Sequence, residues 1–483
     1  MRLKRLKIYG KICSNWFYIC IFAIFTLSVY SGLADFDYYW QVDLGRQIVK
    51  NGNFNGIYNQ SWGSLGISTY YDHEWLTNIL FYCISLIGIK GISVIKLLIS
   101  LFLATCTTFY IRSEKKELNI TSTIELLIFL FIISTVFLKV KAYCISIGFL
   151  LLEVMFLKQY KRSKSNKYFI YMLILLLFWT NMHSGSMPLF FGVAGIYWLI
   201  NLRSEKKILL YEVGYLLSTL INPYGYKLVV FNLLHNSDKT MKQYVLDWRA
   251  LDAKTATGVL CAFVIFMCII SLYKVNLKRH LFDVVMLFIV IFLSLQSVRH
   301  LIYLTPFIIS IVLDTKFTLK KFTNEQLGYI SLFFIGLSIV VNISAFSSSS
   351  YKEDYAMDYV DNDLKQLLID TNKVDCNNIF TADIDMWSLG LKSFSSGAFP
   401  CTKQRFEDSY LIMYCGSDSQ IKQVIDYYGL TKFVFSKNNI LIDYYNVNNT
   451  LYEYLSNNDE YECLYDSDFY CYFVQKGVVN ASK

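Results

Sequence analysis

Apolar runs dominate the chain from residue 14 to residue 346 and then stop. Many are long enough for a helix to cross the roughly 30 Å hydrocarbon core of a bilayer, whereas a soluble core would show shorter runs broken by polar faces. The pattern predicts an α-helical polytopic membrane protein with segments near 14–33, 120–138, 142–157, 168–182, 188–201, 208–221, 257–273, 281–298, 301–314 and 326–345. Two further apolar pieces, "WLTNILFYCISLIGI" and "GISVIKLLISLFLATCTTFYI", meet at Lys90-Gly91. Together they supply one net crossing, the first as a short or re-entrant helix, so the expected total is about 11 spans. Residues 347–354, "SSSSYKED", then lead into a stretch with a different rhythm. Helical patterns at 357–371 and 418–429 alternate with strand patterns at 378–382 and 432–436 and a terminal hairpin at 461–475, which predicts a small α/β domain. The expected domains are therefore 1–346, with an amphipathic first outer loop at 34–74, and 347–483.

Charge orients this scheme. The chain has 483 residues, 55% hydrophobic and 17% charged, with a formal net charge of +8. Residues 351–483 carry 11 Lys/Arg against 20 Asp/Glu, which leaves +17 on the rest. In a membrane protein such an excess marks cytoplasmic loops and does not call for a nucleic-acid partner. The clusters at 1–11, 158–167, 201–207, 274–280 and 316–321 are thus expected inside. The first run lacks a small-residue cleavage site and reads as an uncleaved anchor with the N-terminus cytoplasmic. An odd number of spans places the tail outside. There Cys463 could pair with Cys471 across the hairpin, and Cys376 with Cys401.

The uncommon polar residues then fall on the outer side. Asp35 and Asp37 follow the first span; "DHEW" (72–75), "WTNMHSG" (179–185), "INPYG" (221–225), "LDW" (246–248) and "VRH" (298–300) lie at outer turns. Four of the five histidines are outer and His280 is inner. Bland alternatives exist for each. The tryptophans suit an interfacial belt, Asn222-Pro223 suits a helix stop, and Arg299 and His300 suit a rim facing lipid phosphate. Asp37 suits the N-cap of an amphipathic helix whose apolar face is Trp40, Leu44 and Ile48. That alternative does not account for Asp35. Paired carboxylates at a membrane mouth, near His and Arg, fit general-base chemistry or a hard divalent cation such as Mg or Mn held by Asp35 and Asp37.

The order of these motifs resembles bacterial integral-membrane proteins of the GT-C-type glycosyltransferase superfamily, whose better-known members include the protein O-mannosyltransferases and the aminoarabinose transferases of lipid A. The string is an acidic pair after span one, an aromatic amphipathic helix, "HEWL", "N-x-H", "NPYG", an acidic-Trp pair and an Arg-bearing span start. It covers roughly residues 14–310, and the α/β tail is also similar to tails in that group. The resemblance implies a multi-pass enzyme of the bacterial plasma membrane that moves a sugar from a polyprenyl-phosphate donor to a glycan, lipid or protein acceptor on the outer face. It further implies Asp37, or Asp35, as catalytic base. His73, Glu74, Asn181, His183, Asn222, Tyr224, Asp247, Trp248, Lys141, Arg299 and His300 are the implied substrate-binding residues. Gln41 stands where the group has His, "KVKAY" where it often has Arg-Pro, and Gly185 one position later than the group's Gly. Lys141 replaces a phosphate-binding Arg as a point charge. The rival expectation is a non-catalytic protein of envelope-polysaccharide assembly, or a flippase-like partner, whose outer loops bind without turnover.

Overall fold

The computed structural model describes residues 16–29, 37–52, 54, 71–88, 90–114, 120–201, 207–237, 248, 250–314, 324–347, 363–364, 366–368, 379–381, 403–437 and 449–477. The chain divides into two compact units, Met1–Asp35 with Tyr71–Tyr351 and Phe36–Tyr70 with Lys352–Lys483.

The first unit is helical. In chain order it holds α1 (Trp16–Val29), and α2 (Asp37–Asn51) falls in the second unit. Then come α3 (Trp75–Ser85), α4 (Lys90–Ser113), α5 (Ile120–Phe137), α6 (Ala142–Ser163), α7 (Lys167–His183), α8 (Met187–Ile200), α9 (Ile208–Thr219) and α10 (Tyr226–Ser237). α11 (Ala256–Ser271), α12 (Leu281–Gln296), a 3-10 turn (Val298–Leu304) running into α13 (Thr305–Val312), and α14 (Asn324–Ser347) complete it. Among the described residues, Gly91–Ser113, Ala142–Ser163 and Lys167–Ile200 are long and apolar enough to cross a membrane, and shorter apolar helices accompany them. The expected pair of pieces at 75–112 resolves into the short α3 and the full-length α4, separated by a turn in which Gly88 takes a positive φ.

α6 is the central element, buried along most of its length. Phe102 meets Phe149, and Tyr110 and Ser113 meet Lys158 and Gln159, so α4 runs parallel to α6. Gly148 makes their approach possible: a Cβ there would lie 2.2 Å from the Phe102 ring. In lipid, where apolar burial gains little, such small-residue contacts and interhelical polar pairs hold helices together. α7 runs the other way, with Tyr168 near Phe156 and His183 on Ser146. Ser186 also reaches Ser146, while Tyr197 reaches Leu157 and Asn201 reaches Lys161, so α8 is again parallel to α6. The run Lys167–Ile200 is therefore two antiparallel helices folded back at a 3-10 turn, Ser184–Ser186. That break falls where the sequence places a turn.

Two polar clusters result, one at each end of α6. At the C-terminal end, the Lys158 ammonium lies 2.8 Å from Asp283 and 3.5 Å from Glu114, and donates to the hydroxyls of Tyr110 and Ser310. Arg162 pairs with Glu114 at 2.9 Å, and His280 bridges Asp283 and Asp314. At the other end lies Ser146, twelve residues earlier, or about 18 Å along the axis.

In the second unit, α2 begins at Asp37, whose carboxylate accepts from the Trp40 indole at 2.9 Å. Trp40, Leu44 and Ile48, the face expected to lie on lipid, are 1–4% exposed, as is Gln41 at 1%. This corrects the expectation of a lipid-facing anchor, since the face is closed by protein. The tail folds around a four-stranded sheet of β1 (Ile379–Phe380), β2 (Lys432–Ser436), β3 (Tyr461–Asp466) and β4 (Tyr470–Gln475), in the order β1-β2-β4-β3, with β1 parallel to β2 and the rest antiparallel. α15 (Lys403–Tyr414), α16 (Asp418–Tyr428) and α17 (Thr450–Ser456) pack with it. Ser417 and Gln420 form a capping box at the start of α16, and Gly429 ends it with a left-handed residue. The expected Cys463–Cys471 bridge does not form. Neither takes part in a disulfide: Cys463 sits opposite Phe473 and Cys471 opposite Asp466, so the two are not cross-strand partners, and their thiols lie on the Tyr465 and Phe435 carbonyls instead. Cys376 and Cys401 lie outside the described residues.

Candidate functional site

The site begins at the turn before α3. Asp72 is 1% exposed, and its two carboxylate oxygens accept from the Glu74 backbone N–H at 2.9 Å and the Asn78 amide at 2.8 Å. Each bond ties down the first turn of α3, whose donors lack intrahelical partners. Burial outweighs both bonds and pushes the carboxyl up to about 6. The Tyr224 hydroxyl also hydrogen-bonds the Asp72 backbone, and the Tyr71 ring stands edge-on to Tyr224 with centroids 5.6 Å apart.

This turn is joined to the end of α7 by a run of hydrogen bonds. The Trp75 indole donates to Asn181 Oδ1 at 3.0 Å, and Thr77 donates to the Met182 carbonyl at 2.7 Å. The Ser184 N–H and hydroxyl both donate to the His73 carbonyl. Asn181 donates onward to the Ile221 carbonyl, and Asn232 of α10 donates to Ser184 Oγ. Segments more than 100 residues apart thereby share one rigid frame.

Within the frame, Glu74 Oε1 lies 3.6 Å from His73 Nε2 and 3.4 Å from His183 Nε2. One atom from each of the three side chains falls within 4.8 Å of the others, and they are the group among the described residues able to hold a metal ion. A hydroxyl chain lies below His183: Ser186 Oγ lies 3.0 Å from the His183 carbonyl and 2.9 Å from Ser146 Oγ, Ser146 Oγ lies 2.6 Å from His183 Nδ1, and the Trp179 indole donates into both serines. With the Ser186 proton on that carbonyl, Ser146 donates to Ser186 and accepts from Nδ1–H, which turns the Nε2 lone pair toward Glu74; with the chain reversed, Nε2–H donates to Glu74.

The other expected residues divide. Asn222 spends its side chain on its own turn, accepting from the Tyr224 N–H and donating to the carbonyls of Thr219 and Gly225. Gly225 closes that turn at φ 57°. The Arg299 guanidinium stacks on Trp248, 3.4 Å from the ring centroid, and its charge bears on His183 and Tyr303. His300 Nδ1 is 3.2 Å from the Leu293 carbonyl. Lys141 is the residue before α6, in an extended conformation, five positions ahead of Ser146. Asp37 belongs to the second unit, and Asp35 and Asp247 lie outside the described residues.

Ser146, Ser184, Ser186 and Asn232 are partners that sequence reasoning missed. Ser146 and Asn232 are single polar residues inside apolar helices, with no local signal beyond their polarity. Gly185 did carry a signal, its proximity to "N-x-H": a Cβ there would lie 3.1 Å from His73 Cδ2 and 3.5 Å from His183 Nε2. Gly185→Val is expected to cost about 1–3 kcal/mol in detergent unfolding, because overpacking forces the imidazoles apart. Gly192→Val, where nothing lies within 4 Å, is the control; equal losses in both variants would remove the role given to Gly185. A scan against models of known protein families found no match to this chain, and a search of curated proteins found none either.

Proposed function

We propose that the chain is a membrane glycosyltransferase of GT-C type, with about 11 spans and an extracytoplasmic tail, using a polyprenyl-phosphate sugar as donor. The observation that supports it is the convergence of five sequence-distant segments, residues 71–75, 181–186, 221–225, Trp248 and Arg299, at one end of the helical unit. These are the later five of the seven motifs whose order carries the resemblance; the acidic pair and its helix are not among them. Their other end holds the Lys158 network, on the side that basic loops assign to the cytoplasm.

In the reaction, an acceptor hydroxyl attacks the anomeric carbon of the donor, and its proton passes to the carboxylate of Asp37 or Asp35. The bond from that carbon to the phosphate oxygen breaks, and its electron pair leaves with polyprenyl phosphate. Arg299, held flat by Trp248, with His300 and Lys141, stabilises the growing phosphate charge. The two aspartates are also the pair assigned to Mg or Mn; the Trp40 indole takes Asp37 Oδ1, so the second oxygen, Oδ2, would be the one to meet a cation or the acceptor proton.

The test is a transfer assay with purified full-length protein and polyprenyl-phosphate sugars. Replacing both Asp35 and Asp37 by alanine is expected to reduce the rate by about 100-fold or more, the usual range for a lost general base. Full activity in that variant rejects the mechanism. Saturable donor binding without turnover in the wild type supports the rival binding protein.

A further inference from the structure

We infer that His73, Glu74 and His183 form a binding site for a divalent transition metal of the zinc class. The inference goes beyond glycosyl transfer, because metal binding is measured without turnover, and it concerns different residues from the acidic pair.

Four observations carry it. First, the donor set is two imidazoles and one carboxylate, the composition that suits zinc with a position left open; Mg and Ca prefer all-oxygen sets. Second, tetrahedral ligands on bonds of about 2.0–2.1 Å stand about 3.4 Å apart. The Glu74–His183 and Glu74–His73 separations of 3.4 and 3.6 Å already match. A small rotation of His73, the more exposed of the two imidazoles at 17%, brings in the third ligand.

Third, the surroundings of His183 supply the tautomer that a metal needs. Ser146, held by Trp179 and Ser186, stands 2.6 Å from Nδ1 and can accept its hydrogen, which leaves Nε2, 3.4 Å from a Glu74 carboxylate oxygen, to bind the cation. A ligating histidine that donates its second nitrogen to a fixed acceptor is the usual outer arrangement of protein metal sites. Fourth, the ligands come from two segments pinned by the Ser184–His73, Thr77–Met182 and Trp75–Asn181 bonds, and Gly185 keeps space beside both imidazoles. A preorganised frame of this kind gives affinity that an accidental cluster lacks.

The experiment uses the full-length protein in detergent, stripped with chelator and titrated with Zn(II), and with Co(II) as a spectroscopic reporter. The expected result is one metal per chain, with visible Co(II) bands of four- or five-coordinate geometry. Glu74→Gln and His73→Asn should each weaken Zn(II) binding at least about 10-fold to 100-fold, and Ser146→Ala, which removes the outer acceptor together with its bonds to Trp179 and Ser186, about 10-fold. His73→Asn is the variant that keeps the test valid if Glu74→Gln fails to fold, because the bonds that tie His73 to Ser184 are accepted by its backbone carbonyl and survive the substitution. Substoichiometric metal, or affinity unchanged in His73→Asn, overturns the inference. Metal binding that persists in a protein without transferase activity removes the proposed function and leaves this site standing.

Discussion

Replacing Lys158 by methionine is expected to lower the unfolding free energy of the purified protein in detergent by about 3 kcal/mol, near the low end for a broken buried ion pair. The ammonium is 13% exposed and serves Asp283, Glu114, Tyr110 and Ser310, which come from α4 and the residue after it, α12 and α13. Its loss leaves two nearly buried carboxylates without their shared cation. The cost stays at the low end because Glu114 keeps Arg162, and Asp283 keeps His280 and the Ser310 hydroxyl. A second substitution, Asp283→Leu, in the Lys158→Met background should recover part of the loss, since removing both partners is cheaper than removing one. Denaturant titration of the two variants checks this; a Lys158→Met protein as stable as the wild type would show that the network contributes nothing.

The second large effect is a pH dependence at Asp72. Its carboxyl is raised from 3.8 to about 6 by burial. The folded state therefore keeps a proton between about pH 4 and pH 6 that the unfolded state has released. Stability from this group is greatest below the unfolded value and is lost as pH rises through the folded value. A shift of about two pH units corresponds to about 3 kcal/mol. Glu74 and Tyr224 stand beside it, so the measurement must be a difference. The stability of the wild type minus that of Asp72→Asn, followed by thermal unfolding, should fall by about that amount between pH 4 and pH 7 and then level off. A flat difference curve, or one that rises, contradicts the assignment.

Much of the helical unit could be read from the sequence, because continuous apolar runs leave few alternatives to a helix in lipid. The turn at Ser184–Ser186 was visible as "HSGS", a small-residue break in the apolar pattern. The hairpin and β2 in the tail followed from their strand pattern, and α16 from its helical pattern, to which the structure adds a capping box. α15 and α17 were not foreseen. α17 is only seven residues long, and α15, "KQRFEDSYLIMY", buries Arg405, Asp408 and Ser409, so its buried face carries no clean apolar stripe. In the site, the motifs "DHEW" and "N-x-H" identified residues that do meet. The hydrogen-bond chain through Ser146 was not legible, because it depends on α6 and α7 lying antiparallel, and nothing local in "CISIG" announces a partner 37 positions away. Similarly, Asn222 carried the same signal for a turn as for a ligand, and its side-chain bonds are those of a turn.

If the proposed transferase reading holds, the spacing of the two polar clusters along α6 has a bearing on how its lipid-linked donor would arrive. Ser146 and Lys158 are separated by about 18 Å of helix, whereas the hydrocarbon layer of a bilayer is about 30 Å thick. At least one cluster must then sit beneath the headgroups, at the level of the upper acyl chains, unless the bilayer thins around the protein. If it is the His73–Glu74–His183 end, the phosphate of an isoprenoid carrier would have to descend from the interface, drawn by the stacked Arg299. Its tail would stay in the lipid throughout. Approach from the side, between helices, then becomes the natural route for the donor, while a water-soluble acceptor would come from above.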